Sequence, residues 1–374
     1  MTDQTYQLLL QMGPTVALPV PRELADALQA VQVTTSAGQP SGFQLTFAVS
    51  KTSVINTRLL PAGFFDPKIR VIVTVIVNGS PTVLIDGVIT RHELTVSDQP
   101  GATTLTVTGE DLTLVMDLEH VRTCHPAQGA ATRVAAICAK YFQYGIIPAP
   151  VPPVLLDIPN PVERIPVQAG TDLAYIRALA DECGYVFYLE PGPAPGTSIA
   201  YWGPEVRVGV PQPALSVNLD AATNVESLSF TFDGQAREQM VLDIVEPNTK
   251  QIIKVPIPDI GLLRPPLAAR PSLALRQRPV PNVAHLAPLT AALLGLAQTA
   301  QASDAISGQG QLDVLRYGHI LQARRLVAVR GAGVAYDGLY FVASVTHDLR
   351  RGRYTQNFSL SRDGLIPLIP RVIT

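Results

Sequence analysis

Four carboxylates fall close together in the chain and are the first candidates for chemistry. Glu110, Asp111, Asp117 and Glu119 could supply the acid pair of a glycoside hydrolase. On the helix that we expect from Glu110 to Glu119, however, Asp117 and Glu119 are two positions apart and do not face each other. Glu110 and Asp111 stand where acids favour the start of a helix through its dipole. We therefore predict capping roles and no catalytic residue.

The soft metal ligands are scattered along the chain. Its histidines are His92, His120, His125, His285, His319 and His347, and no two have the i, i+4 spacing and acidic partner of a zincin site. Cys124 and His125 are adjacent, and we favour a structural loop over a metal site with distant ligands. Cys124, Cys138 and Cys183 fit no zinc spacing and cannot all pair. We predict reduced thiols, no metal and no cofactor, with His92 and His347 bonded to backbone carbonyls at strand exits.

Two further clusters carry motif-like patterns. Gly331-Ala332-Gly333 resembles part of a dinucleotide loop, but it stands between two strand patterns with no helix following, so a hairpin turn is predicted. No nucleophile elbow or Walker loop is present in the sequence. Arg350, Arg351 and Arg353 form the sharpest basic cluster; it is interpreted as a solvated hairpin tip, with contact to an acidic subunit as the alternative.

The overall charge is sparse. Charged residues are 16% of the 374 residues, where about 25% is usual. Hydrophobic residues reach 47%, and the formal net charge is −2. Without a basic excess, nucleic acid is not an expected partner. So little charge indicates that part of the surface is buried against other subunits.

Neither export nor membrane insertion is indicated. Residues 1–10 contain Asp3 and a short apolar run but no basic residue before it. They therefore lack the positively charged start of a secretory signal peptide. The apolar stretch over residues 288–303 predicts a buried or interface helix, since it is too short to span a bilayer. We expect the protein to be made and assembled in the cytoplasm.

The elements that must position these residues are mainly strands. Residues 336–365 read as an antiparallel hairpin, in which Arg350-Arg351-Gly352 turns the chain. In the returning strand, Tyr354, Gln356, Phe358 and Leu360 share one face, and the residues between them share the other. One face of this hairpin is therefore predicted to be buried.

The hairpin pattern occurs a second time, in residues 87–112. The returning segments LTVTGEDL and FSLSRDGL match, which places Thr108 against Ser361, and Ile89 falls against Val345 in the outgoing strands. This favours an internal duplication, with convergence of two ordinary hairpins as the alternative.

The strand and helix patterns divide the chain into six parts. The predicted fold is α+β and mostly β, with two related antiparallel barrels, an inserted α+β domain, and a helical and extended insertion in the second barrel. The parts are an N-terminal arm (1–30), the first barrel (31–110), the insert domain (111–214), the split second barrel (215–260 and 315–362), a Pro-rich linker with a helix (261–314) and a C-terminal tail (363–374). Within the insert, Thr171 is predicted to cap a helix that Gly184 ends.

The strand over residues 69–77 differs from the others. Ile72 and Ile76 make its second face apolar as well, so we expect it to be covered on both sides, by its own domain and by a neighbour. Burial of these side chains at about 25 cal/mol per Å² is the expected driver of subunit association.

Together these segments resemble the phage late control protein D family. The likeness rests on FQLTFAVS, DGVITRHEL, LTVTGEDL, TDLAYIRALADECGYVFYLEPG and YDGLYFVASVTHDLRRGRYTQNFSLSR, and it runs from about residue 30 to 365. Members of this family are baseplate hubs of contractile tails and tail-like injection systems. The resemblance implies a homotrimer whose six barrels match a hexameric inner tube on one side and a trimeric spike on the other.

The expected function is therefore structural. The resemblance brings no catalytic residue with it, and we predict a tube initiator that is not an enzyme and contacts the tube, the spike and other baseplate components. Because spike proteins of this kind continue beyond the hub and this sequence ends at Thr374, we expect the spike to be a separate chain. The alternatives are a tail-borne peptidoglycan hydrolase and a regulatory protein.

Overall fold

A computed structural model describes most of the chain. The described residues are 6–99, 102–153, 158–162, 164–192, 194–245, 252–257, 264–280, 294–296, 299 and 304–368. Strands dominate these ranges and pair mostly antiparallel. The mostly-β architecture predicted from the sequence is confirmed.

The first unit is built from the N-terminal strands. They are β1 (Tyr6–Gly13), β2 (Leu18–Pro19), β3 (Leu28–Ser36), β4 (Gly42–Ala48), β5 (Arg70–Val77), β6 (Ser80–Thr95) and β7 (Thr104–Asp111), with helix α1 (Arg22–Ala27) between β2 and β3. Hydrogen bonds join them in the order β3-β4-β7-β6-β5-β1. A helical turn, Ile55–Leu59, connects β4 to β5.

The N-terminal residues are part of this sheet. The prediction of an arm over residues 1–30 was wrong, because β1 pairs with β5 along its whole length. Leu10 and Met12 alternate with more exposed residues and are buried, and Leu24 of α1 is fully buried. Pro14, Pro19 and Pro21 all follow β1, which itself contains no proline.

The insert domain follows β7 and has its own core. Its elements are β8 (His120–Cys124), α2 (Ala130–Ala139), β9 (Ile146–Pro150), β10 (Val167–Thr171), α3 (Asp172–Cys183), β11 (Val186–Pro191) and β12 (Ser198–Gly203). Both predicted caps of α3 are confirmed: the Thr171 hydroxyl accepts from the Ala174 N–H, and Gly184 ends the helix in the left-handed conformation. Trp202 is fully buried in this core.

The remaining strands complete the molecule. They are β13 (Gln212–Ser216), β14 (Val225–Phe232), β15 (Glu238–Val245), β16 (Ile252–Pro256), β17 (Ala268–Pro271), β18 (Arg276–Pro279), β19 (Ile306–Asp313), β20 (Leu326–Arg330), β21 (Gly338–Arg350), β22 (Arg353–Arg362) and β23 (Gly364–Pro367), and a short helix α4 (Val314–Tyr317) follows β19. The second unit pairs in the order β14-β19-β22-β21-β20-β13.

The second unit therefore differs from its predicted boundaries. Strands β15 and β16 were assigned to it, but they pair with each other and with β18 in a separate sheet. Strand β19 belongs to it instead, although its residues were assigned to the linker with a helix (261–314), and it contains Gly308 and Gly310. These glycines make room for aromatic rings: a Cβ on Gly308 would lie 2.9 Å from the Phe230 ring, and one on Gly310 would lie 2.6 Å from the Phe358 ring.

Two other assignments change in this part of the chain. The predicted tail over 363–374 begins with β23, which pairs with β17. The Asp363 carboxylate accepts the Leu267 and Ala268 N–H groups at 2.9 and 3.1 Å, which fixes β17 beside it. The helix predicted over residues 288–303 falls mostly outside the described residues.

The two units have the same topology. In sequence order, β1, β3, β4, β5, β6 and β7 correspond to β13, β14, β19, β20, β21 and β22, and each neighbouring pair in one unit has its equivalent in the other. The outermost pair differs in direction, since β1 is antiparallel to β5 and β13 is parallel to β20. A short helical segment connects β4 to β5 in the first unit and β19 to β20 in the second.

Bulges fix the register of this repeat. The outgoing hairpin strand is bulged between Ile89 and Arg91 in the first unit and between Val342 and Ser344 in the second. Ile89 therefore corresponds to Val342, and Thr108 to Ser359 through their cross-strand partners. The alignment of the two hairpins made from the sequence was wrong by three residues in the outgoing strand and by two in the returning strand. A bulge has no visible signature in the sequence.

A single sheet runs through both units. Residues 344–350 of β21 pair antiparallel with residues 30–36 of β3, so the strands of the two units are continuous. One hydrophobic cluster likewise contains Phe47 and Leu105 of the first unit and Phe358 and Leu360 of the second. Among the described residues, no helix combines the length and hydropathy needed to cross a bilayer.

Candidate functional site

One face of the continuous sheet is covered by uncharged polar side chains, and we treat it as the candidate functional surface. This polar face contains Gln32, Thr34, Ser36, Gln44, Thr46, Thr106, Thr108, Ser227, Ser229, Thr231, Ser307, Gln309, Gln311, Ser344, Thr346, Asn357 and Ser359. It results from the two-residue period of the strands, since the neighbours of these residues point into the core.

The polar residues are aligned in rows across the strands. Ser227, Gln311, Asn357, Thr346 and Thr34 lie directly opposite one another on five successive strands. The Thr34 and Thr346 hydroxyl oxygens are 3.0 Å apart, across the junction between the two units. Such cross-strand contacts stabilise a sheet by about 0.2–1 kcal/mol each.

A second row runs beside the first. Ser229, Gln309, Ser359, Ser344 and Ser36 are opposite one another on the same strands, and the Ser344 and Ser359 hydroxyl oxygens are 2.6 Å apart. The rows contain only hydroxyl and amide groups. The polar face is therefore hydrated without attracting or repelling either sign of charge strongly.

A few charged side chains also lie on the polar face. Arg91 and Glu93 are 4.0 Å apart at the far end of β6, and both are exposed. At the turn from β21 to β22, Arg350 donates to the Asp348 carboxylate at 3.2 Å. Arg91 and Glu93 lie opposite Thr108 and Thr106, and Asp348 lies opposite Gln32, so the polar face carries a few charges of both signs beside its neutral rows.

The arginine cluster lies at this turn, as predicted. Gly352 has a φ of 75° and closes the hairpin. Arg351 donates to the Asp26 carbonyl, and the Arg350 carbonyl accepts from the Tyr6 hydroxyl, so the tip is held against the N-terminal segment. The Gly331 to Gly333 segment is also a hairpin turn, between β20 and β21, with positive φ at both glycines.

His347 is buried under the polar face at the unit junction. Its Nδ1 accepts from the Gln356 amide N–H at 3.2 Å and lies 2.8 Å from the Tyr354 hydroxyl. Gln356 also makes two bonds with the Leu321 backbone, which fixes the direction of its amide. Burial lowers the pKa of His347 to about 3. The prediction that this ring bonds to a backbone carbonyl was wrong, whereas His92 does so, with Nδ1 3.1 Å from the Phe65 oxygen.

A buried ion pair fastens the insert domain to the first unit. Arg70 donates to both carboxylate oxygens of Asp86, at 2.8 and 2.6 Å. It also donates to the Tyr144 and Gly196 carbonyls of the insert, at 2.7 and 3.1 Å. Burial raises the pKa of Asp86, against the hydrogen bonds and charge of Arg70.

The insert also explains the apolar second face of β5. Ile72 is only 2% exposed, and the insert loop at Gly196 lies over its side chain. The strand is covered on both sides, as predicted, but the insert provides the cover. Ile72 is already buried within one chain, so its burial cannot drive subunit association.

A second group of buried charges joins the end of the insert to the second unit. Arg207 makes two bonds of 2.7 Å to Asp304, and Arg264 lies 2.7 Å from Glu205. Burial alone would raise the pKa of Asp304, but the hydrogen bonds and charge of Arg207 bring it below the ordinary value. These groups are paired with each other and serve to hold the segments together.

Two of the four carboxylates considered for catalysis, Asp111 and Asp117, make structural hydrogen bonds. The helix expected there is a single 3₁₀ turn, Leu112–Met116, because Glu110 and Asp111 belong to β7. Asp111 caps that turn, as predicted, accepting from the Thr113 N–H and the Ser41 N–H at 2.9 Å each. Asp117 accepts from the Thr171 hydroxyl.

The adjacent Cys124 and His125 do not converge with other metal ligands. The His125 ring stacks on Tyr175 and its Nε2 lies 3.2 Å from the Gln168 side-chain oxygen, while Cys124 is exposed. In the part of the chain that the structure describes, no group of three His, Cys, Asp or Glu residues could hold a metal ion. All three cysteines are free.

Comparison with known proteins gives the fold a context. No family model and no curated protein matches the sequence. Solved structures do match, among them a tail protein from Neisseria meningitidis (16% identity, 96% of this chain and 98% of the other, TM-score 0.61) and the 43 kDa tail protein of prophage MuSo2 from Shewanella oneidensis (14%, 96% and 100%, 0.65). This chain has the fold of these tail proteins.

The likeness extends to a secretion system. The E. coli c3393 protein, described as a component of the type VI secretion system with structural similarity to the T4 tail proteins gp27 and gp5, matches at 11% identity over 92% of this chain and 77% of the other, with a TM-score of 0.53. The fold expected from the sequence resemblance is therefore confirmed, although sequence identity is low.

Proposed function

We propose that this chain is the structural baseplate hub of a phage tail-like contractile injection system. In this proposal three copies form a homotrimer that joins a hexameric inner tube to a separate trimeric spike and nucleates tube assembly. The chain acts by presenting surfaces and catalyses no reaction.

The observation that carries the proposal is the duplicated unit. Two units of the same strand order and equivalent bulges lie side by side in one sheet. A trimer of such chains presents six nearly equivalent units in a ring, which fits a sixfold partner on one side. The insert domains occur once per chain and keep threefold symmetry, which fits a trimeric spike and other baseplate components.

The polar face supports a role as the lining of the channel. Its Ser, Thr, Asn and Gln rows lie on the side of the sheet opposite the shared core. A hydrated wall with few charges, of both signs, lets cargo of either charge pass without adhering. The fold likeness to tail proteins and to a secretion-system component supports the same reading.

The competing hydrolase function has less support. Asp111 and Asp117 are held by hydrogen bonds to backbone and hydroxyl groups, and Glu110 belongs to a strand. We therefore expect purified protein to release no fragments from peptidoglycan. If lysis occurs and is lost on Asp117→Asn, the structural proposal is wrong.

The test of the hub function is the mass and symmetry of the particle. Multi-angle light scattering at micromolar concentration should give three chains per particle, and electron microscopy should show a ring with six outer lobes. Addition of the tube protein from the same gene cluster should produce tubes that start at this ring. A persistent monomer, or tubes that form equally fast without the chain, would contradict the proposal.

A further inference from the structure

Within the described residues, the continuous sheet is open along β14 and along the last part of β6. The strands run in the order β14-β19-β22-β21-β3-β4-β7-β6, and no described strand pairs with the outer side of β14. At the other end, β6 extends to Thr95, but its pairing with β5 ends at Val88. The segment from Arg91 to Thr95 therefore has β7 on one side and no described strand on the other. Open edges of this kind are templates for pairing with another chain.

One junction between units is already made inside the chain. It joins β21 of the second unit to β3 of the first. In the repeat, β21 corresponds to β6 and β3 corresponds to β14. The two open edges are therefore the equivalents of the two strands that meet within the chain.

The direction of the strands is also compatible. All neighbours along this path are antiparallel. Because the path contains an even number of strands, β6 and β14 run in opposite directions. Their pairing between copies is then antiparallel, as at the internal junction.

The internal junction fixes a register for the external one. Bulges mark equivalent positions in β3 and β14, between Leu28 and Ala30 and between Val225 and Ser227. The bulges in β21 and β6 likewise mark equivalent positions. Each residue pair of the internal junction therefore has an equivalent external pair, found by counting residues from the bulges in both strands. The resulting pairs include Arg91 with Asp233, Leu94 with Phe230, and Thr95 with Ser229.

The core side of these pairs is apolar. Leu94 is 40% exposed and Val96 is 72% exposed in the single chain, although both are large hydrophobic residues. The register places them opposite Phe230 and Leu228, which are half-buried and pack against the shared core. Pairing would continue that core from one copy into the next and cover apolar side chains that one chain leaves in water.

The polar side of the pairs matches as well. Thr95 falls opposite Ser229 and extends the hydroxyl row of the polar face. Arg91, at the first position after the bulge, falls opposite Asp233, so an exposed cation meets a carboxylate. A register shifted by one residue would set Leu94 and Val96 opposite hydroxyl residues of the polar face instead of apolar ones, which opposes slippage.

We propose that β6 of one copy and β14 of the next pair antiparallel in this register, closing the trimer by repeating the internal β21·β3 junction. The inference rests on the proposed homotrimer and specifies which surfaces form it. Its occupant is a second copy of this chain, since the complementary edge belongs to the same sequence.

The test is site-directed crosslinking in a Cys124→Ser background, which removes the exposed native thiol. Thr95→Cys with Ser229→Cys places two thiols on directly opposite residues, whose Cα separation in an antiparallel pair is about 4.5–5.5 Å and suits a disulfide. Oxidation should yield covalently linked trimers on a non-reducing gel. The matched control is Thr95→Cys with Gln309→Cys: Gln309 lies beside Ser229 on the same face, one strand further away, and should give at least tenfold less crosslink.

A second measurement uses charge and does not depend on introduced thiols. Arg91→Glu should raise the concentration at which the trimer dissociates by about fivefold, and addition of Asp233→Arg should restore the original value. If light scattering shows a trimer but the two thiol pairs crosslink equally and the charge reversal is not rescued, the pairing is wrong and the hub proposal stands. If the Cys124→Ser parent is monomeric, the proposed trimer itself fails.

Discussion

His347 gives a quantitative prediction about pH. Its ring is buried and neutral in the folded chain, where burial lowers its pKa from 6.5 to about 3. In the unfolded chain the ring takes up a proton below pH 6.5, and the folded state does so only near pH 3. The neutral ring therefore makes its full contribution to the free energy of unfolding above pH 6.5, and this contribution is lost as pH falls toward 3.

The size of the effect follows from the two pKa values. One pH unit corresponds to about 1.4 kcal/mol, so the loss is about 2 kcal/mol at pH 5 and about 4–5 kcal/mol at pH 3. His347→Gln keeps a hydrogen-bond acceptor near Gln356 and Tyr354 but does not titrate. The variant should be less stable than the parent at pH 7.5, and the difference should shrink by about 2 kcal/mol at pH 5.

Urea unfolding at pH 7.5 and pH 5 measures this difference, with tryptophan fluorescence and circular dichroism recorded together. His319→Gln is the matched control, because it makes the same substitution at an exposed histidine. Equal losses of stability in the parent and in His347→Gln between the two pH values would refute the argument that the neutral ring is built into the fold.

Three further changes test how the units are held together. Gly310→Val should destabilise the chain by about 1–3 kcal/mol in urea unfolding, because the valine side chain has no space against β14 and β22. Gly38→Ala is the control and should be almost neutral, because a Cβ at Gly38 meets nothing within 4 Å. Arg70→Met should cost about 3–5 kcal/mol by leaving Asp86 buried and unpaired, and the double change Arg70→Met with Asp86→Leu should recover most of that in thermal melts. Asp111→Ala should lower stability by about 1 kcal/mol through loss of a cap. A loss below about 0.3 kcal/mol for Gly310→Val, Arg70→Met or Asp111→Ala would contradict the corresponding contact.

Much of the fold could be predicted because the strand period is written in the sequence. The hairpin around Gly352, the capped helix from Thr171 and the existence of a repeated unit all follow from alternation and capping residues. The register of the repeat could not be predicted, since a bulge adds one residue without changing composition.

Other errors came from reading residues locally. The segment with Gly308 and Gly310 was assigned to a linker, but both glycines belong to strand β19, where aromatic rings from neighbouring strands occupy the space of a side chain. Strands β15 and β16 alternate like those of the second unit, and only long-range pairing assigns them to another sheet. The polar face was foreseen for one strand of the C-terminal hairpin; its extent over both units depends on the β21·β3 junction, which no local pattern encodes.

That junction has a practical consequence for dissecting the protein into pieces. A fragment ending near residue 214 would contain β3 without β21, leaving Val31 and Val33 beside an unsatisfied backbone edge. Such a fragment should aggregate or swap strands with another copy, even though every strand of the first unit is present. Expression studies therefore need both halves on one polypeptide, or two fragments produced together in the same cell.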